Sequence, residues 1–410
     1  MMDLREALLG RRAASRMCLT RTQSLWFDAM RGLAAVAVLV YHIRYRFFAD
    51  WSEVPHSAST LFFYTLTSFG HDAVMVFFVL SGALISRSVI RAGASGRWSW
   101  LEYAAARSSR LYVVLLPGLL LTLAWDMAGL TLFPGHPVYT GHATGAWHDF
   151  FDVRAHLGVD IFTGNALFLQ AILVPTFGSN TPLWSLSFEF WYYVLFPMLC
   201  WAALPGTATT RVLCAVGALA AGALVGITVL EYFPLWLMGA GVWFLPMSRI
   251  VERHPEEILT AALVVLAATL LACHSALGSF PVVWRDYLIG GVFTAVVWVI
   301  LHLRGESNQD GIASRAAKLL AGQSYTLYVV HVPLLVFLRA ALGGPLQWQL
   351  SPATAAMAAG LGVLCLVYSY GIAQLTEART ELVRQRLRRW IIPVAPTGAV
   401  GIVGGGEGPA

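Results

Sequence analysis

The sequence predicts an all-α polytopic integral membrane protein with about ten transmembrane helices and one short re-entrant or interfacial segment. Hydrophobic residues make up 58% of the 410 positions, charged residues only 12%, and the mean hydropathy is +0.66. A soluble domain of this length carries roughly twice this charged fraction. The apolar residues also form runs of about 18 or more, the length that crosses a bilayer core as a helix.

The apolar runs define the predicted spans. They cover residues 26–46, 60–88, 110–131, 183–203, 211–230, 232–247, 257–275, 286–303, 319–342 and 354–376. A further apolar stretch at 161–176 is too short to span, so we expect it to re-enter or to lie at the interface. The chain thus divides into a basic N-terminal segment (1–24), a membrane domain (25–376) and a basic, then Gly/Pro-rich tail (377–410).

Basic residues indicate the topology, and the net charge of +5 therefore does not suggest nucleic-acid binding. Arginines cluster in the N-terminal segment, after the second, sixth and eighth spans, and in the tail. With ten spans every cluster lies on one side, which the positive-inside rule assigns to the cytoplasm. Counting 161–176 as a span would move the later clusters outside. We therefore predict that both termini are cytoplasmic.

The loop at 132–160, expected on the outer side, is rich in His, Gly and Asp, including His142, His148 and Asp149. A metal site there is conceivable, but an irregular solvated loop explains the composition as well. The five cysteines follow no CxxC or His/Cys metal spacing and are interpreted as small apolar residues. No metal is expected.

Three of the ionisable residues in the first span, Asp28, Arg31 and His42, suggest a site. Asp28 and Arg31 are three apart, so they share a helix face and can form an ion pair. His42 follows Arg31 by eleven residues, which places it on nearly the same face about 16 Å further along the axis. Ionisable side chains within spans are costly and suggest function. The structural alternatives are an interfacial salt bridge for Asp28 and Arg31, and a histidine that reaches the outer interface.

Two further positions stand out near span ends. Asp72 lies at the outer start of the second span, where it either belongs to a site or interacts with the helix dipole. Arg107 and Arg110 share a face at the cytoplasmic start of the third span. Two guanidinium groups on one face suit a polyanion such as a nucleotide phosphate, whereas ordinary positive-inside charge is the alternative.

The segment from Trp184 to Tyr193 is the fourth polar cluster. Ser185, Glu189, Tyr192 and Tyr193 lie on one side of the fourth span by their helical spacing. Glu189 lies about 9 Å inside the outer end if the helix begins near residue 183. The predicted topology then groups His42, Asp72 and Glu189 in the outer half and the arginines at the inner face. An imidazole with a carboxylate partner is a general base able to deprotonate a hydroxyl.

These segments resemble the membrane-bound acyltransferase 3 family, bacterial enzymes that O-acylate cell-surface polysaccharides and other hydroxyl acceptors. Five motifs in the family's order carry the resemblance across about residues 24–376. They are Asp28 to Ala35 with Tyr41-His42, Phe77 to Gly82, Arg107 to Tyr112, Trp184 to Glu189, and Ser324 to His331.

The resemblance implies a cytoplasmic acyl-CoA donor, commonly acetyl-CoA, and a carbohydrate or glycoconjugate acceptor outside a bacterial inner membrane. It assigns His42 as the catalytic base and Asp72 and Glu189 as site carboxylates, with Arg31, Arg107, Arg110 and Asp28 on the donor side. We expect Trp184, Ser185 and Tyr192 to contact substrate. His331, next to Pro333, is equally well explained as a polar residue at a kink and is left out of the catalytic set.

Three alternatives remain open at this stage. His42 could accept the acyl group covalently before transfer. The chain could instead be a transporter or flippase of an envelope glycan or lipid, with the buried charges lining its path. A receptor or scaffold is the third possibility. The sequence does not indicate the acceptor, the acyl length or the oligomeric state.

Overall fold

A computed structural model describes residues 17–141, 152–204, 206–275, 280–305, 311–342 and 347–391. Within these ranges the chain is helical, with two isolated β-bridges and no strand. The main helices are α1 (Arg21–Phe47), α2 (Ala58–Leu66), α3 (Gly70–Ala94), α4 (Trp100–Leu132), α5 (Val159–Ala166), α6 (Leu183–Ala203), α7 (Ala208–Gly241), α8 (Pro255–His274), α9 (Val282–Ile300), α10 (Ile312–Ala321), α11 (Ser324–Leu342), α12 (Pro352–Leu375) and α13 (Thr380–Ile391). Helices of four and five residues occur at Pro137–Thr140 and Arg249–Arg253. The predicted all-α class is confirmed.

The described residues contain nine helical stretches that are long and apolar enough to cross a membrane. One of them, Ala208–Phe244, includes α7, which reverses direction at Gly226 (φ +73°). Contacts with α6 demonstrate the reversal: as the chain advances along α7, the partner in α6 first moves backward and then forward. The contacts are Arg211 with Ala202, Gly217 with Met198, Val229 with Tyr192 and Trp236 with Phe196.

The reversal makes α7 a helical hairpin and raises the number of crossings within the described residues to ten. Each half is about 22–27 Å long at 1.5 Å per residue, close to the thickness of a bilayer core. The sequence predicts this break at the charged Glu231, between the spans 211–230 and 232–247. It occurs five residues earlier because glycine adopts a positive φ without the steric cost that a Cβ imposes.

Ten crossings place the arginine clusters at one end of the bundle, here called the basic end. Contacts between distant segments confirm the placement: Arg388 pairs with Glu102 at 2.6 Å, Arg304 with Glu252 at 2.8 Å, and Gln23 donates to the Leu301 carbonyl at 2.9 Å. The opposite end, which carries His42, is called the histidine end.

The segment at 161–176 does not span. After α5 it forms tight turns, and its two ends meet where the Gly178 N–H donates to the His156 carbonyl at 3.0 Å. The middle of the segment lies between α4 and α6, where the Trp191 indole N–H donates to the Phe168 carbonyl. Phe168 also packs on Tyr112. The chain therefore enters the bundle and returns to the same end.

Several boundaries differ from the prediction. The predicted ninth span, 319–342, is two helices, because α10 is amphipathic and a turn at 322–323 separates it from α11. α4 begins at Trp100, ten residues early, where the Ser99 side chain caps it. The tail is helical through α13. His142, His148, Asp149, the first sixteen residues and residues 392–410 lie outside the described part of the chain.

The central core joins α3, α4, α6, α7 and α11. At its closest crossing, α3 meets α7 backbone to backbone through two glycines. A Cβ on Gly82 would lie 1.9 Å from the Trp236 carbonyl oxygen, and one on Gly239 would lie 1.9 Å from the Val79 carbonyl oxygen. Small residues at such contacts allow helices to approach closely in membranes.

Candidate active site

Four cavities lie between the basic end and the histidine end of the bundle. The Arg31 cavity (about 1040 Å³) and the Arg384 cavity (about 760 Å³) lie at the basic end, and both adjoin a central cavity of about 850 Å³. Arg31 and Arg110 line the Arg31 cavity and the central cavity together, while Arg107 is shared with the Arg384 cavity. Val74 and Tyr328 separate the central cavity from the His42 cavity (about 780 Å³). A ligand that fills the central cavity from the basic end therefore reaches the wall that borders the His42 cavity.

His42 is hydrogen-bonded to His331 of α11, with 3.0 Å between His42 Nδ1 and His331 Nε2. The other His331 nitrogen, Nδ1, lies 2.7 Å from the Leu327 carbonyl oxygen and must donate to it, since a carbonyl only accepts. In a neutral His331, Nε2 is then the acceptor and His42 Nδ1 is the donor. His42 Nε2 therefore carries the lone pair of a neutral imidazole, as a general base requires.

The remaining walls of the His42 cavity combine aromatic rings with charge. Tyr41, Tyr45 and Trp184 line it, and the two tyrosine rings stack at 5.8 Å. Arg46 contributes a buried guanidinium group that donates to the Thr181 hydroxyl at 3.3 Å.

A second imidazole also lines the His42 cavity. His71 Nε2 lies 2.9 Å from Oδ2 of the buried Asp286 of α9. The cavity thus presents two histidines, His42 with a histidine partner and His71 with a carboxylate partner.

Glu189 lies in the central cavity, not beside His42. A short hydrogen-bond chain fixes it: the Trp236 indole donates to the Ser81 hydroxyl at 3.2 Å, Ser81 donates to the Tyr193 hydroxyl at 3.2 Å, and Tyr193 donates to Glu189. Arg31 shares this cavity and donates to the Ser324 hydroxyl at 3.3 Å. The predicted outer carboxylate therefore lies among the arginines.

The arginine pair of α4 faces the cavities with much of its hydrogen-bonding capacity unused. Arg110 makes no hydrogen bond to any residue the structure describes and is exposed to the cavity space. Arg107 lies over the Tyr103 ring at 5.7 Å, and its buried Nε has no partner within the described ranges. Asp28 lines the Arg31 cavity, with 4.0 Å between its carboxylate and Arg31.

Two predicted site residues line none of these four cavities. Asp72 is buried and binds His274 of α8, with 2.8 Å between Oδ2 and Nε2, so it is not the carboxylate partner of His42. Tyr192 is fully buried and donates to the Val229 carbonyl at 2.7 Å. Trp184 lines the His42 cavity, while Ser185 lines the central cavity and hydrogen-bonds the Tyr328 hydroxyl at 2.6 Å. Across the described residues no cluster of three metal-ligating side chains occurs.

His331 is the main functional candidate that sequence reasoning left out. Its motif, Ser324 to His331, is visible in the sequence, but the adjacent Pro333 offers a sufficient local explanation. Only the packing of α1 against α11 brings it to His42, 289 residues away. Tyr328 of the same motif separates two of the cavities.

Two comparisons with known proteins point to acyl transfer. Residues 24–372 match the model of a protein family described as an acyltransferase domain. The chain is also similar to the acyltransferase MdmB of Streptomyces mycarofaciens, at 27% identity over 397 residues, which cover 90% of this chain and 93% of the relative. No solved structure shows a significant match.

Proposed function

Because the chain belongs to this acyltransferase family, we propose that it is a membrane-embedded O-acyltransferase that uses acyl-CoA. The acyl group, acetyl in the simplest case, passes to a hydroxyl of a carbohydrate or glycoconjugate. The observation that carries the proposal is the His42–His331 pair, which leaves His42 with a free lone pair in a cavity adjoining an arginine-rich entrance.

In the proposed reaction, His42 Nε2 removes the proton from the acceptor hydroxyl. The resulting oxygen nucleophile attacks the thioester carbonyl, and the carbon–sulfur bond breaks after the oxygen–carbon bond has formed. The CoA thiolate leaves and takes the proton back from His42. His331 keeps the His42 ring oriented throughout, because its own Nδ1 is fixed on the Leu327 carbonyl. A properly placed base of this kind contributes about 10²–10⁴-fold to the rate.

The donor side is supported by charge. Arg31, Arg107 and Arg110 line the central cavity and are shared with the two cavities at the basic end, so guanidinium groups with unused donors border the path of a polyanionic donor such as acyl-CoA. Asp28 sets the position of Arg31, and Glu189 balances the positive charge. The basic end faces the cytoplasm in this proposal, since the positive-inside rule favours that side and CoA is a cytoplasmic metabolite. The acceptor then enters from outside a bacterial inner membrane.

The acceptor class is supported by the walls of the His42 cavity. Tyr41, Tyr45 and Trp184 provide amphipathic aromatic faces next to hydrogen-bonding groups of Thr181 and His71. Sugar rings match this combination, because they present apolar C–H faces together with hydroxyl edges, and aromatic residues such as Tyr and Trp are apolar at one end and polar at the other.

The test is acyl incorporation by membranes that contain wild-type protein or the His42→Ala variant and are supplied with labelled acetyl-CoA and cell-envelope glycans. We expect His42→Ala to lose about 10²–10⁴-fold of the rate. The matched control is His56→Ala, which removes an exposed histidine that stacks on Trp51 and lines none of the four cavities. Equal rates for wild type and His42→Ala at equal protein levels would refute the proposal.

A further inference from the structure

The Arg384 cavity lies where the C-terminal helix packs against the start of α4. Arg384 and Arg388 of α13 form one wall, and Arg97, Trp98 and Arg107 contribute others. Arg388 is held in place by Glu102, with 2.6 Å between guanidinium and carboxylate. The family match ends at residue 372, so α13 lies beyond it. None of these residues except Arg107 has a role in the proposed reaction.

Two residues that line this cavity each carry a buried donor for which the described residues provide no acceptor. The indole Nε1 of Trp98 and the guanidinium Nε of Arg107 are both buried without a hydrogen-bond partner among the described residues. Buried polar groups in folded proteins are nearly always hydrogen-bonded. Both groups can only donate, so a ligand rich in hydrogen-bond acceptors suits this cavity better than a cationic one.

Charge distinguishes the two cavities at the basic end. The Arg384 cavity is lined by four arginines and one carboxylate, from Glu102. The Arg31 cavity has three cationic residues, Arg31, Arg110 and Lys318, but also two carboxylates, from Asp28 and Glu377. A ligand with several phosphate groups therefore finds the larger excess of positive charge in the Arg384 cavity, and guanidinium groups suit phosphate oxygens geometrically.

We propose that the Arg384 cavity binds the 3′-phosphorylated ADP end of the acyl-CoA donor, with Arg384 and Arg388 as phosphate-binding residues. The inference rests on the proposed function and adds a binding site to it. Arg107 lines this cavity and the central one, so the pantetheine arm passes beside Arg107 toward the central cavity. The thioester then lies on the His42 side, while the nucleotide stays at the basic end.

The test uses the purified full chain in lipid nanodiscs and equilibrium dialysis with labelled adenosine 3′,5′-bisphosphate. Charge-assisted hydrogen bonds are worth enough that each lost arginine should weaken binding about tenfold or more. We expect this for Arg384→Gln and for Arg388→Gln. The matched control is the pair Arg386→Gln and Arg389→Gln, which removes equal charge from the same helix outside the cavity lining. Equal weakening in variant and control would overturn the proposal.

The Glu102→Gln variant separates ligand binding from simple docking of α13. If Arg388 acts only through its ion pair with Glu102, then Glu102→Gln and Arg388→Gln weaken binding alike. If Arg388 binds phosphate, Glu102→Gln removes a repelling carboxylate and binding becomes tighter. If Arg384→Gln and Arg388→Gln lower the affinity of the protein for vesicles of anionic lipid but leave bisphosphate binding unchanged, lipid headgroups are the ligand and the proposal is overturned.

Failure of this site and failure of the proposed function give different results. Bisphosphate binding to wild-type protein and to His42→Ala, without acyl transfer by either, would contradict the proposed function alone. Acyl transfer by wild-type protein that binds no bisphosphate, with equal KM for acetyl-CoA in the Arg388→Gln variant, would contradict this site alone.

Discussion

His42 differs from an ordinary histidine in its hydrogen-bond partner, which is a second histidine. The Leu327 carbonyl orients His331, and His331 in turn orients His42, so one nitrogen of His42 is left with its lone pair. A carboxylate partner would also favour a positive charge on the ring during the reaction. A neutral histidine partner fixes the tautomer and orientation without that additional charge.

Replacing His331 with Leu removes the hydrogen bond to His42 Nδ1 while keeping an apolar side chain in the buried site. We expect kcat to fall about 10²-fold, the size of effect that misplacing a reacting group produces, with little change in KM for acetyl-CoA. Steady-state kinetics in nanodiscs measure both constants. His331→Asn, which keeps a polar side chain that can accept a hydrogen bond, should recover part of the activity. A normal kcat in His331→Leu, or a change confined to KM, would rule out the positioning role.

At this scale the sequence predicts which residues are unusual more successfully than which residues meet. Arg31 and His42 are eleven residues apart, and helix geometry converts this spacing into a separation along α1 that places them at different cavities. Asp72 looks equally exceptional, yet its partner is His274, because the position of α8 depends on packing across 202 residues. Local periodicity contains no information about such contacts.

Among the helix pairs, α3 and α7 leave no room for an added side-chain atom where they cross. Gly82 and Gly239 bring the two backbones together directly behind Ser81, whose hydroxyl supports Tyr193 and Glu189. The crossing therefore sets the wall of the central cavity.

The Gly82→Ala variant places a Cβ against the Trp236 carbonyl, which only a shift of the helices can relieve. Overpacking of this kind typically costs about 1–3 kcal/mol. We expect a lower thermal unfolding midpoint for the detergent-solubilised protein, together with reduced acyl transfer. Gly291→Ala in α9 is the control, since no atom lies within 4 Å of its added Cβ. Equal midpoints for the two variants would show that the crossing is not tight.

The element boundaries illustrate the limits of hydropathy. The apolar run through residues 211–230 contains no charge near its true turn, so the predicted break falls at Glu231. The Gly226 turn depends on one backbone angle, which composition does not reveal. By contrast, 161–176 is recognisable as non-spanning, because its length alone is insufficient.

For the whole molecule, the important property is that the number of membrane crossings is even. Nine straight spans would place the start of α1 and the end of α12 on opposite sides, whereas the hairpin in α7 returns both to the basic end. The charge distribution predicts this result before the hairpin is seen, because only an even number brings the arginine clusters together.

Reporter fusions test the topology in cells. Alkaline phosphatase, which is active only outside the cytoplasm, should be active when fused after Gly226 and inactive when fused after Arg253. Green fluorescent protein at the C-terminus should fluoresce. Active phosphatase after Arg253 would mean that α7 crosses once and that the later spans are inverted. A fusion after Arg97, within a basic loop, is the inactive control.

The cavities themselves are beyond reach of the sequence, even though most of the predicted site residues line them. Each cavity is bounded by helices far apart in the chain, and the shared residues Arg31, Arg107 and Arg110 become common walls only when α1, α4 and the C-terminal segment pack together. Fold class follows from composition, whereas the connection between cavities follows from tertiary contacts.

The position of α13 has a consequence for the order of events during synthesis. Residues 380–391 are synthesised after the last crossing, α12, and only with them can Arg384 and Arg388 reach Glu102 and Trp98. The helices that bring His42 and His331 together therefore precede, in order of synthesis, the helix that completes the proposed nucleotide site.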